Sequence, residues 1–109
     1  RKDRIFQSFI FSLSQNFRTH HSVSFYAAEQ CLTPRYFSTI VREKSGRNAL
    51  QWIMMFIIAE AKKLLSDPDP SIKEIAETLG FSNQSFFGRY FKQYVGLSPM
   101  AFRSSGAEE

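Results

Sequence analysis

Among 109 residues there are one cysteine, two histidines and no apolar run longer than eight, and each shortage closes a class of function. A lone Cys31 cannot form an internal disulfide, and with only His20 and His21 beside it no zinc cluster has the required spacing. The small, polarizable thiol is expected inside the core, and the adjacent histidines in a solvated loop. The longest apolar run, Trp52 to Ala59, falls far short of the eighteen or more residues of a membrane span. No G-x-S-x-G, phosphate loop, carboxylate pair or metal cluster is present, so the chain does not read as an enzyme and no catalytic residue, metal or cofactor is expected. Since the sequence opens on Arg1, it reads as an excised piece of a longer protein, with no targeting segment to interpret.

What is present is apolar and basic. With 43% hydrophobic and 16% aromatic residues, the chain can bury one compact core or two small ones sharing a wall. A net charge of +4 permits an acidic partner, and its distribution is uneven. Residues 1–66 hold ten Lys or Arg against four Asp or Glu, whereas residues 67–109 hold four against six. A polyanion should feel the first part more strongly.

Apolar residues at helical spacing, Ile5, Phe6, Phe9, Ile10, Leu13 and Phe17, predict an amphipathic helix from Asp3 to about Arg18. Ser22 can cap a short second helix, and Thr33-Pro34 opens a third that runs to Gly46. Asn48 then caps a long central helix over 49–66, apolar on nearly every side in its first half and therefore enclosed by protein. Asp67-Pro68-Asp69-Pro70 stops it. Ser71-Ile72-Lys73-Glu74 is a capping box that starts a short helix to Gly80. A sixth helix follows from Asn83 to Tyr94 with a stop at Gly96, and Ser98-Pro99 opens a last one through Phe102 and Arg103. Ser104 to Glu109 reads as a frayed polar tail.

The chain repeats itself. At an offset of 49, Ser22, Val23, Ala27 and Leu32 match Ser71, Ile72, Ala76 and Phe81. At an offset of 50, Thr33, Phe37, Val41, Arg42, Gly46, Asn48 and Trp52 match Asn83, Phe87, Phe91, Lys92, Gly96, Ser98 and Phe102, so the one-residue slip falls in the turn. Each copy is a short helix, a tight turn, a longer helix and a glycine stop, which is helix-turn-helix anatomy. The predicted fold is all-α, about seven helices, with two helix-turn-helix subdomains joined by the linker helix. Its parts are residues 1–48, 49–66 and 67–109.

Opposite its apolar side, the second helix of each copy carries a polar stripe at i, i+3, i+4 and i+7. The stripes are Arg35, Ser38, Thr39 and Arg42 over 34–44, and Ser85, Gly88, Arg89 and Lys92 over 83–94. Arginine can bind guanine O6 and N7 bidentately, short hydroxyl residues allow close approach, and a basic residue one turn on can meet phosphate. A single such stripe is more often a solvated helix face, but the same layout twice behind the same turn favours recognition of double-stranded DNA. An eighteen-residue linker helix is about 27 Å long, which is compatible with entry into successive major-groove segments about 34 Å apart.

The run Gly80-Phe81-Ser82-Asn83-Gln84-Ser85-Phe86-Phe87-Gly88-Arg89-Tyr90-Phe91-Lys92, followed by Gly96-Leu97-Ser98-Pro99-Met100-Ala101-Phe102-Arg103, resembles the signature of the AraC/XylS family of bacterial transcription regulators. The resemblance covers about Ser22 to Arg103. It implies promoter DNA bound by two recognition helices in a cytoplasmic regulator, usually an activator that works with RNA polymerase and carries a separate N-terminal sensing or dimerising domain. Position by position, it places base reading on Arg35, Ser38, Thr39, Gln84, Ser85 and Arg89, and phosphate binding on Thr33, Arg42, Asn83 and Lys92. Three departures stand out. Ser38 and Thr39 are shorter than is common in the family, Gly88 offers no side chain, and Cys31 fills the turn position held by Gly80, so the first turn is expected to differ in geometry.

Met54, Met55 and Ile58 also replace residues that are mostly polar in relatives. They read either as a thicker core or as a contact patch for the companion domain or a second subunit. The rival to DNA recognition is a helical protein-interaction module, favoured by the acidic balance of the second half and by the aromatic content.

Overall fold

The computed structural model describes residues 1–106 and contains, among them, seven helices and no strand. They are α1 (Lys2–Asn16), α2 (Val23–Glu29), α3 (Pro34–Ser45), α4 (Ala49–Ser66), α5 (Ile72–Thr78), α6 (Gln84–Val95) and α7 (Pro99–Ser105). None of these helices is long and apolar enough to cross a membrane, and no group of His, Cys, Asp or Glu among the described residues could hold a metal ion. The chain divides within α4 into two compact units, Arg1–Phe56 and the part from Ile57 onward.

The caps begin the helices where the sequence places them. Ser22, Thr33, Ser71, Asn83 and Ser98 each accept a hydrogen bond from the backbone N–H three residues on, satisfying one of the orphan donors of a helix start. Asn48 and Gln51 cap α4 reciprocally: the Gln51 N–H donates to Asn48 Oδ1 at 2.9 Å, and the Asn48 N–H to Gln51 Oε1 at 2.8 Å. Gly46 and Gly96 end α3 and α6 in the left-handed region at φ 82° and 93°.

In the first unit α1 packs on α2 and α3 around Phe9, which is fully buried. The edges of Tyr26 and Phe37 meet it at 5.5 and 5.1 Å, the edge-to-face arrangement that aromatic quadrupoles favour. Tyr26 donates its phenol proton to the His20 carbonyl at 2.7 Å, and burial, with the nearby Glu29 carboxylate, pushes its pKa up to about 12. His20 lies stacked on Phe25, ring centroids 3.7 Å apart, so this exposed loop histidine has a packing partner. Lys2–Glu43 at 3.3 Å and Lys44–Asp3 at 2.8 Å tie the start of α1 to the end of α3.

The second unit closes around Phe81, Phe87, Phe91 and Phe102, with Ile75, Leu79 and Leu65. Phe91 meets Phe102 edge-on at 5.6 Å. From α7, Arg103 donates to two carbonyls at the end of α4, Leu65 O at 3.1 Å and Asp67 O at 2.9 Å. A guanidinium thus satisfies acceptors that a helix end leaves orphaned.

Three expectations are corrected. Cys31 is exposed rather than buried, because it sits at the corner of the turn, where its side chain faces water. Nor does the first turn differ from the second. Cys31 adopts φ 58° where Gly80 adopts 82°, and the same pair of bonds closes each turn: Leu32 N–H to Ala27 O and Phe81 N–H to Ala76 O, both 3.0 Å, behind Cys31 N–H to Ala28 O and Gly80 N–H to Glu77 O. The six-to-one bond fixes the backbone, and the cysteine takes the strain of a β-carbon in the left-handed region. Cys31→Gly is accordingly expected to stabilise the unit. About 1–2 kcal/mol of left-handed strain is relieved, against about 0.5–1 kcal/mol of added unfolded-chain entropy. A thermal melt checks the sign, and a lower midpoint contradicts the strain assignment.

The third correction concerns the C-terminal end. Ser104 and Ser105 complete α7, which Gly106 ends at φ 71°, while residues 107–109 of the expected tail lie outside the described residues. On α4, Ile58 is buried and Met54 and Met55 are half-buried.

Candidate nucleic-acid interface

In the first unit the hydroxyl of Thr33 accepts the Tyr36 N–H at 3.2 Å, which leaves its own proton for an outside acceptor. Arg35, Thr39 and Arg42 follow on α3, all exposed. Together with Ser38, Glu43 and Asn48 they line an open depression of about 400 Å³. Ser38 is half-buried, and its Oγ accepts the Ala49 N–H at 3.4 Å, so part of its hydrogen-bonding capacity goes to the start of α4. Thr39 donates its hydroxyl proton to Arg35 O at 3.0 Å, leaving its lone pairs and methyl group outward. Of the three expected base readers here, Arg35 alone presents its whole polar end.

In the second unit Asn83 Oδ1 accepts the Phe86 N–H at 2.8 Å, which leaves the amide NH₂ as a donor beside the start of α6. Asn83, Gln84 and Ser85 line a second depression, of about 380 Å³, with Ser82 and the α5 residues Lys73, Ala76 and Glu77. Arg89 and Lys92 stand one and two turns further along the same face, both exposed. Among the described residues, no carboxylate is within ion-pair reach of Arg35, Arg42, Arg89 or Lys92. Four cations are therefore held on two helix faces without internal neutralisation, next to helix starts whose caps keep spare donors. That combination suits phosphate and base-edge acceptors.

Three residues at this face escape the stripe pattern. Tyr36 and Phe86, 47% and 46% exposed, occupy matching places in the first turns of α3 and α6, although aromatics at helical spacing read as core. Their equivalence at the offset of 50 was the available signal. Lys73, one helix earlier, is brought to the α6 start only by the fold.

Two units with the same turn, the same capped start and the same outward polar face define a tandem helix-turn-helix domain. The family model described as a helix-turn-helix domain matches residues 26–105. The chain is 37% identical over 83 residues to the arabinose operon regulatory protein of Escherichia coli strain K12, covering 76% of this chain and 28% of that protein. Against the arabinose operon regulatory protein of Salmonella typhimurium it is 34% identical over 86 residues, covering 79% and 31%. Among solved structures it is similar to the DNA-binding domain of AdpA, a global transcriptional factor, crystallised in complex with a target DNA: TM-score 0.78, 26% identity, 93% of this chain and 90% of that one. The chain belongs to the AraC/XylS family of helix-turn-helix transcription regulators, of which it forms the DNA-binding part. It spans less than a third of the length of the two arabinose regulators.

Proposed function

We propose that the chain binds double-stranded promoter DNA in a sequence-specific manner, with α3 and α6 as recognition helices, as part of a bacterial transcription regulator. The observation that carries this reading is the largely exposed polar face, its cations without an ion-pair partner among the described residues, that recurs on both helices behind the same turn. In this reading Arg35 and Arg89 read guanine by paired hydrogen bonds, while Gln84, Ser85 and Thr39 meet neighbouring base edges and Ser38 contributes its hydroxyl proton. Thr33, Asn83, Arg42 and Lys92 hold phosphates.

The family relation supports a wider proposal: action from the cytoplasm as an activator that touches RNA polymerase, with a companion domain for sensing or dimerisation. No enzymatic step belongs to it. Titration of a labelled duplex at several salt concentrations tests the core of the reading. Affinity should fall steeply with salt, and Arg42→Ala should weaken all sequences alike and flatten the slope by about one phosphate. Salt-independent or absent duplex binding would favour the protein-interaction alternative.

A further inference from the structure

Four of the five glycines are required by the backbone: Gly46, Gly80, Gly96 and Gly106 all have positive φ. Gly88 is the exception. It lies in the interior of α6 with ordinary helical backbone, and a β-carbon built on it would meet nothing within 4 Å. Glycine is the least favourable helix-interior residue after proline, so the fold would gain from alanine here. Its counterpart in the first unit sharpens the point. Ser38 binds the Ala49 N–H, but in the second unit the place of Ala49 is taken by Pro99, which has no N–H. That difference explains why no serine is needed at 88; it does not explain the missing β-carbon.

The position shares the polar face of α6 with Ser85, Arg89 and Lys92. Ser85 is short and reaches a base edge only if the helix axis lies deep in the groove. We propose that Gly88 is a specificity-determining residue: its bare backbone seats against a thymine C5-methyl group in the major groove, and the depth so gained brings Ser85 to the bases. The occupant follows from chemistry. Within the helix the N–H and C=O of residue 88 are spent on the ladder, so the gap offers no polar partner, and the apolar feature of the major-groove edge is the thymine methyl. This inference rests on the reading of α6 as a recognition helix.

The test uses a duplex enriched by selection with the wild-type chain, in which each thymine of the α6 sub-site is replaced in turn by deoxyuridine. Gly88→Ala is expected to melt about 4–8 °C higher and to bind the enriched duplex at least ten-fold more weakly. One deoxyuridine position should weaken the wild type several-fold and restore part of the variant's affinity. Wild-type affinity in the variant, or a loss equal on every duplex, overturns the assignment to a thymine methyl. Failure of the wild type to enrich or bind any duplex would instead overturn the reading of α6 itself, and is seen before the variant is made.

Discussion

Arg89→Ala should weaken binding to the preferred duplex by about 5–150-fold, equivalent to about 1–3 kcal/mol, and should relax the preference at a single base pair. The side chain is exposed in the middle of the α6 polar face, and no carboxylate among the described residues lies within ion-pair reach of it. Its removal therefore leaves no buried partner unsatisfied, and the fold should keep its stability to within about 0.5 kcal/mol. The control is Arg89→Lys, which keeps the charge and loses the fork; it should recover non-specific affinity without recovering the base preference. Uniform loss across all sequences in the alanine variant would move Arg89 from the reading set to the phosphate set. Competition binding against single-base variants of the enriched duplex makes the distinction.

Phe9→Ala carries the largest expected effect on stability. Phe9 is 0% exposed and meets two aromatic edges, from α2 and α3, within its own unit. Truncation removes the transfer energy of the ring and leaves a cavity between three helices, about 3–5 kcal/mol. Small domains hold about 5–15 kcal/mol in total, so the first unit should be close to its unfolding threshold. Chemical denaturation followed by far-ultraviolet circular dichroism reads the change. A loss under about 1 kcal/mol would mean that α1 is not fastened through this ring, and the helix-turn-helix of the first unit would then be more self-sufficient than its packing indicates.

Much of this architecture was legible because its signals are local. A hydroxyl or amide before each of α2 to α7, proline at the first helical position of α3 and α7, and glycine after α3 and α6 act within four residues, so six caps and both stops stand where the spacing puts them. The internal repeat supplied the rest, since two copies of one pattern exclude readings that either copy alone would allow. What escaped depends on contacts distant in sequence. Ser38 belongs to the outward polar stripe in the sequence, yet its oxygen is drawn to the start of α4, eleven residues on. Tyr36 and Phe86 are aromatic yet substantially exposed in the first turns of α3 and α6, which the apolar spacing of those helices did not indicate. Cys31 could not be read as left-handed from its own chemistry. The bonds that impose φ 58° belong to its neighbours, and only the match to Gly80 carries the information.

The central claim is that two matched units read DNA together, and selection from random duplexes at near-physiological salt tests it most directly. The account predicts two enriched sub-sites about one helical turn apart, one of which loses its preference in Arg35→Ala and the other in Arg89→Ala. A single short motif insensitive to Arg35, or no enrichment above salt-sensitive background binding, would contradict it.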